Sequence, residues 1–290
     1  LRYEAVMGAS NIYTKANNYS ILKNRIYEYS GGGYPRVQKA RQELMAAIPT
    51  ICPERALLIT ESYRQSEGEP FVLRKAKALK TILTNMSIYI EETQLIVGNQ
   101  ASQNRAAPIF PEYSIDWVIE ELDSFDTRTG DVFSISEETK EKLRSIHSFW
   151  KGKTHQEEVY ANMSDINLKA QKQNVIHRGG ISMSGDGHII PNHEVVLEKG
   201  FRGIQKDAET YLNNPAINDK QREFYQAVII ALDAAINFAR RYADLADNMA
   251  MNEEDDVRRK ELVRISRINR RIVEGKAQSF HEALQIVYYC

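Results

Sequence analysis

The stretch PTICPERALLITESYRQSEGEPFVLRKAKALKTIL, residues 49–83, decides how the rest of the chain is read. Within it, PERALLITESYRQ (53–65) opens with Pro53 and Glu54. A proline fits the first helical turn, and an acid there meets the positive end of the helix dipole. After the break at Gly68–Pro70, FVLRKAKALKTILTN (71–85) sets Leu73, Ala76, Leu79 and Leu83 on one helical face. Two amphipathic helices in succession point to a helical body rather than a sheet.

The same period recurs on both sides. RVQKARQELMAAI (36–48) places Val37, Ala40, Leu44 and Ala47 or Ile48 together. Ser134 with Glu137 predicts a capped helix through about Trp150. A further helix is expected from about Glu194 to Leu212, with Val196, Gly200 or Phe201, Ile204, Ala208 and Tyr211 facing inward. The longest, DKQREFYQAVIIALDAAINFARRYADLADNMA (219–250), carries a stripe of Phe224, Val228, Ala231, Ala235, Phe238, Tyr242 and Ala246. SIYIEETQLIVG (87–98) alternates and then turns β-branched, which predicts one or two short strands. NQASQNRAAPIFPEYS (99–114), with two prolines, reads as a loop. Residues 1–34 end in SGGGYP and read as an extension joined through Gly31–Gly33.

Composition narrows the class. The 290 residues are 42% hydrophobic and 27% charged, with a formal net charge of −1 and no basic field to attract nucleic acid or an anionic membrane. No apolar run reaches the roughly 18–20 residues that cross a bilayer. Cys52 and Cys290 are the two cysteines, so neither a disulfide framework nor a CxxC zinc pattern is present, and a reducing, cytoplasmic setting is expected. At the other end of the chain Ser279 and Glu282 read as a capping box opening a helix that is apolar nearly all round. That helix, and Leu1 where an initiating Met would stand, give the expectation of a piece of a longer protein.

No GxGxxG, GK[ST], HExxH or GxSxG motif occurs. His177, His188 and His193 lie close in sequence with Asp186 and Glu194. His188 and His193 are five apart across Pro191 rather than i,i+4 on a helix, so the spacing does not favour a metal. His147, His155 and His281 read as surface or cap residues, Arg105 as a structural arginine on loop carbonyls, Glu112 as a cap or loop partner, and Cys52 as an inert buried thiol. GDGHIIP (185–191) differs: two glycines permit a sharp bend, and two β-branched residues then run extended. From residue type alone, His188 is equally an aimed site residue or a satisfied core histidine.

Residues 49–83 followed by LIVGNQASQNRAAPIFPE (95–112), ELDSFDTRTGDVFSISEETKEKLRSI (121–146), KGFRGI (199–204) and SFHEALQ (279–285) together resemble the N-terminal part of the glycyl radical enzymes, the pyruvate formate-lyase-like family. The resemblance covers roughly residues 36–290 and is greatest to the cobalamin-independent glycerol and propanediol dehydratases. It implies an α/β fold, a ten-stranded β/α barrel to which this mainly helical chain contributes wrapping helices and one wall. In that branch a GxGH segment carries a histidine that hydrogen-bonds a substrate hydroxyl, which places the role on His188. The choline lyase branch lacks this histidine. The dehydratases often have an acid a few residues after it, where this chain has Asn192. The thiyl cysteine and radical glycine of the family lie in later segments. Neither motif occurs here, so no catalytic role passes to Cys52 or Cys290, and no metal ligand is expected.

The resemblance further implies an anaerobic organic-radical lyase that removes water from a small polyol. A radical-SAM activating enzyme would install the radical, and the full-length enzyme would be a homodimer. A glycyl radical C–S or C–C lyase acting on a sulfonate or arylacetate is the rival within the family. A non-catalytic helical binding module is the rival outside it.

Overall fold

The computed structural model describes residues 34–176, 185 and 189–290. The joint expected at Gly31–Gly33 lies outside the described residues. The helices in chain order are α1 (Pro35–Ala46), α2 (Glu54–Gln65), α3 (Phe71–Asn85), α4 (Asp116–Glu121), α5 (Glu137–Trp150), α6 (His155–Ala161), α7 (Asp165–Lys172), α8 (His193–Leu212), α9 (Asp219–Asn252), α10 (Asp256–Ile272) and α11 (Phe280–Tyr288). Two three-residue strands, β1 (Thr50–Cys52) and β2 (Ala106–Pro108), pair in parallel.

Helix α9 is the axis. It packs on α3, α8 and α10, which its small residues permit: Ala227, Ala234, Ala239, Ala243, Ala246 and Ala250 are all buried. Phe238 and Tyr242 join a core shared with α2, α3, α5 and α10. Ile236 and Ala239, on its other side, join Val196, Phe201, Ile268, Ile272 and Ile286. The expected stripe is therefore correct toward the C-terminal half. Toward the N-terminal end Phe224 is 54% exposed, its ring meeting Tyr225 edge-on at 5.7 Å. Tyr211 is likewise exposed, and stacks on Tyr225 at 5.3 Å rather than pointing inward. In α1 the expected apolar face is uncovered by the described residues, with Val37, Leu44 and Ile48 all exposed.

Two local expectations are corrected. The N-cap of α5 is Ser136, whose Oγ accepts from Thr139 N at 3.2 Å. Ser134 is engaged in pairing beside β1, donating its N–H to Pro49 O at 2.7 Å and accepting from Ile51 N at 3.0 Å. At α11, Ser279 Oγ accepts from Glu282 N, but the Glu282 carboxylate turns to Arg271 and to Gln278 N–H instead of closing the box.

The larger correction concerns residues 87–98, which contain no strand; the strands fall at 50–52 and 106–108. The reason is where their backbone bonds go. Arg241 donates to Leu83 O and Met86 O, both at 2.6 Å. The buried Arg258 donates to Glu91 O and Gln94 O, both at 2.9 Å. Arg36 takes Thr93 O at 3.1 Å, and His281 Nε2 takes Leu95 O at 2.8 Å. Gln285, wholly buried, brackets Val97: Oε1 accepts from its N–H at 2.8 Å and Nε2 donates to its C=O at 2.7 Å. Side chains of α1, α9, α10 and α11 thus supply what a neighbouring strand would have supplied.

Helix α8 is kinked at Gly200, with φ 62° and ψ 176°. The chain of α8 there runs against the end of α10: a Cβ on Gly200 would lie 2.7 Å from Gly275 N, 2.8 Å from Gly275 O and 2.9 Å from Ile272 O. Backbone atoms cannot step aside as a side chain can, so only glycine fits.

Two stability outcomes follow. Gly200→Ala in the full-length protein combines left-handed strain with a backbone clash and is expected to destabilise by about 2–4 kcal/mol, read as a clear drop in melting temperature; an unchanged melt would contradict the close approach of α8 and α10. Gln285→Leu leaves two buried backbone groups unpaired at about 1–3 kcal/mol each. It should lower the melting temperature by several degrees, whereas Leu284→Gln, at an exposed position of the same helix, should change it little.

Candidate functional site

His188, together with His177, Asp186 and Gly187, lies outside the described residues. Gly185, which opens the GDGH segment, is described. It adopts φ +70°, and a Cβ there would lie 2.6 Å from both Cε1 and Nε2 of His155. Gly185 therefore lies against the imidazole edge of a residue whose local sequence reads as a surface or cap position.

What holds His155 can be followed residue by residue. TxxE at Thr154–Glu157 forms a full capping box: Thr154 Oγ1 accepts from Glu157 N, and the Glu157 carboxylate accepts from Thr154 N at 3.1 Å. Thr154 is buried. His155, the first residue of α6, donates its backbone N–H to Glu112 O at 3.0 Å, and Gln156 N donates to Tyr113 O at 3.0 Å. Ser114 Oγ adds a hydrogen bond to Gln156 Oε1 at 2.7 Å. The start of α6 is thus sewn onto the loop 112–114.

That loop is in turn fixed to α2. Arg55 binds Glu112 through both guanidinium nitrogens, at 3.0 and 2.5 Å, with both side chains mostly buried. The same guanidinium lies 3.7 Å from the centroid of Phe110, which stacks on Tyr113. A planar, bidentate, ring-stacked arginine is a rigid strut, and lysine could not replace it. Tyr63 stands beside this pair. Burial first, and the Glu112 carboxylate second, push its phenol above the ordinary range, while Arg74 and Arg55 oppose the shift.

The remaining sequence candidates are not gathered at this place. Arg105, at φ 55°, donates to Ala47 O at 3.0 Å and Leu44 O at 3.4 Å, capping the end of α1 as its structural reading anticipated. Cys52 is buried in β1 opposite Pro108. Cys290 is exposed, its Sγ 3.3 Å from Ile286 O, and partial burial raises its thiol. His147 Nε2 pairs with Asp116 Oδ1 at 2.6 Å. His193 is the first residue of α8, where Asn192 is the cap, its Oδ1 accepting from Val195 N at 3.3 Å. Asn192 is therefore engaged in ending the loop that leads out of GDGHIIP. Among the described residues no three His, Cys, Asp or Glu side chains converge on a metal position. Sequence reasoning missed Arg55 and His155; the TxxE box was the legible signal for the second.

Against this geometry the likeness to known proteins is specific. A sequence profile of the pyruvate formate lyase-like family matches residues 27–290. The chain is 36% identical over 259 residues to the probable dehydratase YbiW of Escherichia coli K12, covering 88% of this chain and 32% of that protein. It is 32% identical over 280 residues to the (2S)-3-sulfopropanediol dehydratase of Klebsiella oxytoca, covering 91% and 33%. The glycerol-bound B12-independent glycerol dehydratase of Clostridium butyricum superposes with a TM-score of 0.85 at 38% identity, covering 90% of this chain and 34% of that one. Isethionate sulfite-lyases stand among the further relatives. The chain spans about a third of the length of the relatives it matches. It belongs to the pyruvate formate lyase-like family, the glycyl radical enzymes.

Proposed function

We propose that this chain is the N-terminal portion of a glycyl radical lyase that eliminates water from a small polyol such as glycerol or propane-1,2-diol. The observation that carries the reading is the GDGH segment of residues 185–188, in a chain 38% identical to a glycerol-bound glycerol dehydratase. Residues 1–34 form an extension in this reading, and 35–290 supply helices around a ten-stranded barrel completed by further sequence. A radical-SAM activating enzyme, a homodimeric assembly and a cytoplasmic setting belong to the same proposal.

The protein radical, borne on a later segment, supplies abstraction of a hydrogen atom next to the hydroxyl to be lost. The contribution of this chain is to hold and protonate the departing oxygen. An imidazole titrates near neutrality, so His188 can both donate a hydrogen bond to a hydroxyl and give up that proton as the oxygen leaves. In this reading the helices of the chain wrap the barrel and keep water from the site. Within the family, a sulfonate C–S lyase is the second reading. The likeness to isethionate sulfite-lyases, at 32% identity over 254 residues, supports it, and a C–C lyase acting on an arylacetate is its companion within the family.

In the full-length, activated enzyme, His188→Ala is expected to lower turnover of the preferred diol roughly 10²–10⁴-fold, the usual worth of a positioned acid. Glycyl radical content, measured by electron paramagnetic resonance, should be unchanged. His193→Ala should do far less. Near-normal turnover by His188→Ala across glycerol and propanediol would sink the dehydratase reading, and release of sulfite from a hydroxysulfonate would put the C–S lyase in its place.

A further inference from the structure

We propose that the outward face of α10 is a contact between two copies of this chain, the two helices lying antiparallel about a two-fold axis at Lys260. The proposal rests on the homodimeric assembly included in the reading above, and names the surface that makes it. Helix α10 buries Arg258, Leu262, Ile265, Asn269 and Ile272 along one side. Its opposite side carries Lys260, Arg264 and Arg267, all exposed and with no side-chain partner among the described residues. Spacings of four and three set them in one line on the helix surface. The neighbouring cations are settled differently: Arg259 pairs with Asp256, and Arg270 with Asp244 and Asp247. Beside the line stand Val257 and Val263, 65% and 54% exposed. Just ahead of it runs Glu253–Glu254–Asp255–Asp256, of which Glu254 and Asp256 are exposed.

Like charges four apart on a helix repel, so a bare basic line weakens the helix that carries it. A facing surface of opposite sign removes that cost. Helix α10 supplies one itself, because its acidic end and its basic line follow one another along the same side. Two copies laid parallel would set acid on acid and base on base. Turned antiparallel about Lys260, they set Val257 against Val263 of the second copy and Asp256 against its Arg264. The Glu253–Glu254 end then meets its Arg267. Each contact occurs twice, as a two-fold axis requires. The Asp256–Arg259 pair is exposed on both sides, which leaves the carboxylate able to accept a second cation. The Lys260 side chains meet at the axis, and their flexible four-carbon stems let each ammonium turn toward Asp256 of the other copy. Antiparallel placement also sets the positive end of each helix dipole beside the negative end of the other. An extended polyanion is a poorer fit, since a chain of net charge −1 offers it no field beyond this one line.

The test reads the mass of the full-length protein, without activation, by sedimentation velocity over a concentration series, with melting temperature as the control for folding. The wild type should be a dimer. Arg264→Asp should weaken self-association about 10- to 100-fold, because two symmetry-related attractions become two repulsions. Asp256→Arg alone should weaken it in the same way. The two together restore opposite signs in exchanged places and should recover most of the loss, a coupling that independent sites would not show. If Asp256→Arg lowers the melting temperature by disturbing the first turn of α10, Glu254→Arg with Arg267→Glu forms the same cycle. A monomeric wild type, a dimer untouched by Arg264→Asp, or a loss that neither charge exchange recovers would overturn the proposal. None of these readings needs turnover. A failed lyase assignment would therefore leave the interface standing, and a failed interface would leave the assignment to be judged on His188→Ala alone.

Discussion

The interaction on which this structure depends is the capture of one irregular segment, residues 86–97, by side chains from helices far along the chain. Arg241, Arg258, Arg36, His281 and Gln285 take its carbonyls, and Gln285 also takes the Val97 N–H. A stretch of buried or half-buried backbone without a strand partner would lose about 1–3 kcal/mol for each group left unpaired. Here those groups are satisfied, and the satisfaction does a second job. It ties α1, α9, α10 and α11 to one rail, so their relative positions are set by directional bonds as well as by apolar contact. The charged hydrogen bonds of Arg258 illustrate the balance. Its guanidinium is nearly dehydrated, at a cost that only simultaneous partners at Glu91 O, Gln94 O and Glu261 can offset.

Packing on the rail is made possible by α9. Its alanines let three helices approach, and its aromatic residues fill the volume between them. Tyr242 bonds Asn99 at one end of the captured segment, and Tyr289 of the final turn bonds Asn269 of α10 at 2.6 Å. Both phenols are pushed well above their ordinary range, by burial first. They are neutral donors at any physiological pH, which suits hydrogen bonds in a low-dielectric interior.

How much of this is legible in the sequence depends on the range of the interaction. The helices are written in local period, and α2, α3, α5, α8, α9 and α11 fall close to where the apolar spacing put them. Arg105 and Cys52 too behave as their immediate neighbours suggest. Residues 87–98 look like strand because they are apolar and β-branched, yet their partners are side chains up to 188 positions away, which no local pattern carries. Ser134 and Ser136 stand two positions apart, both just ahead of the Glu137–Glu138 pair. Only the pairing of Ser134 beside β1 decides which is free to cap. Gly200 is visible as an inward position, but the need for a left-handed bend arises from α10, which the local sequence does not contain. At the candidate site the same rule holds. GDGH is a local signal and is readable, whereas the Arg55–Glu112 clamp spans 57 positions and the His155 contact spans two loops.

The two kinds of loop in this chain show a common solution to one physical problem. A loop that must stay irregular cannot stabilise itself through a ladder, so its order has to be supplied by fixed donors on regular elements. For 86–97 the donors are arginines, a histidine and a glutamine on helices α1, α9, α10 and α11. For 110–114 they are Arg55 on α2 and the first turn of α6, whose His155 ring lies against Gly185. Rigidity is thus passed outward from the helical core, one hydrogen-bonded step at a time, to loops that have no ladder of their own.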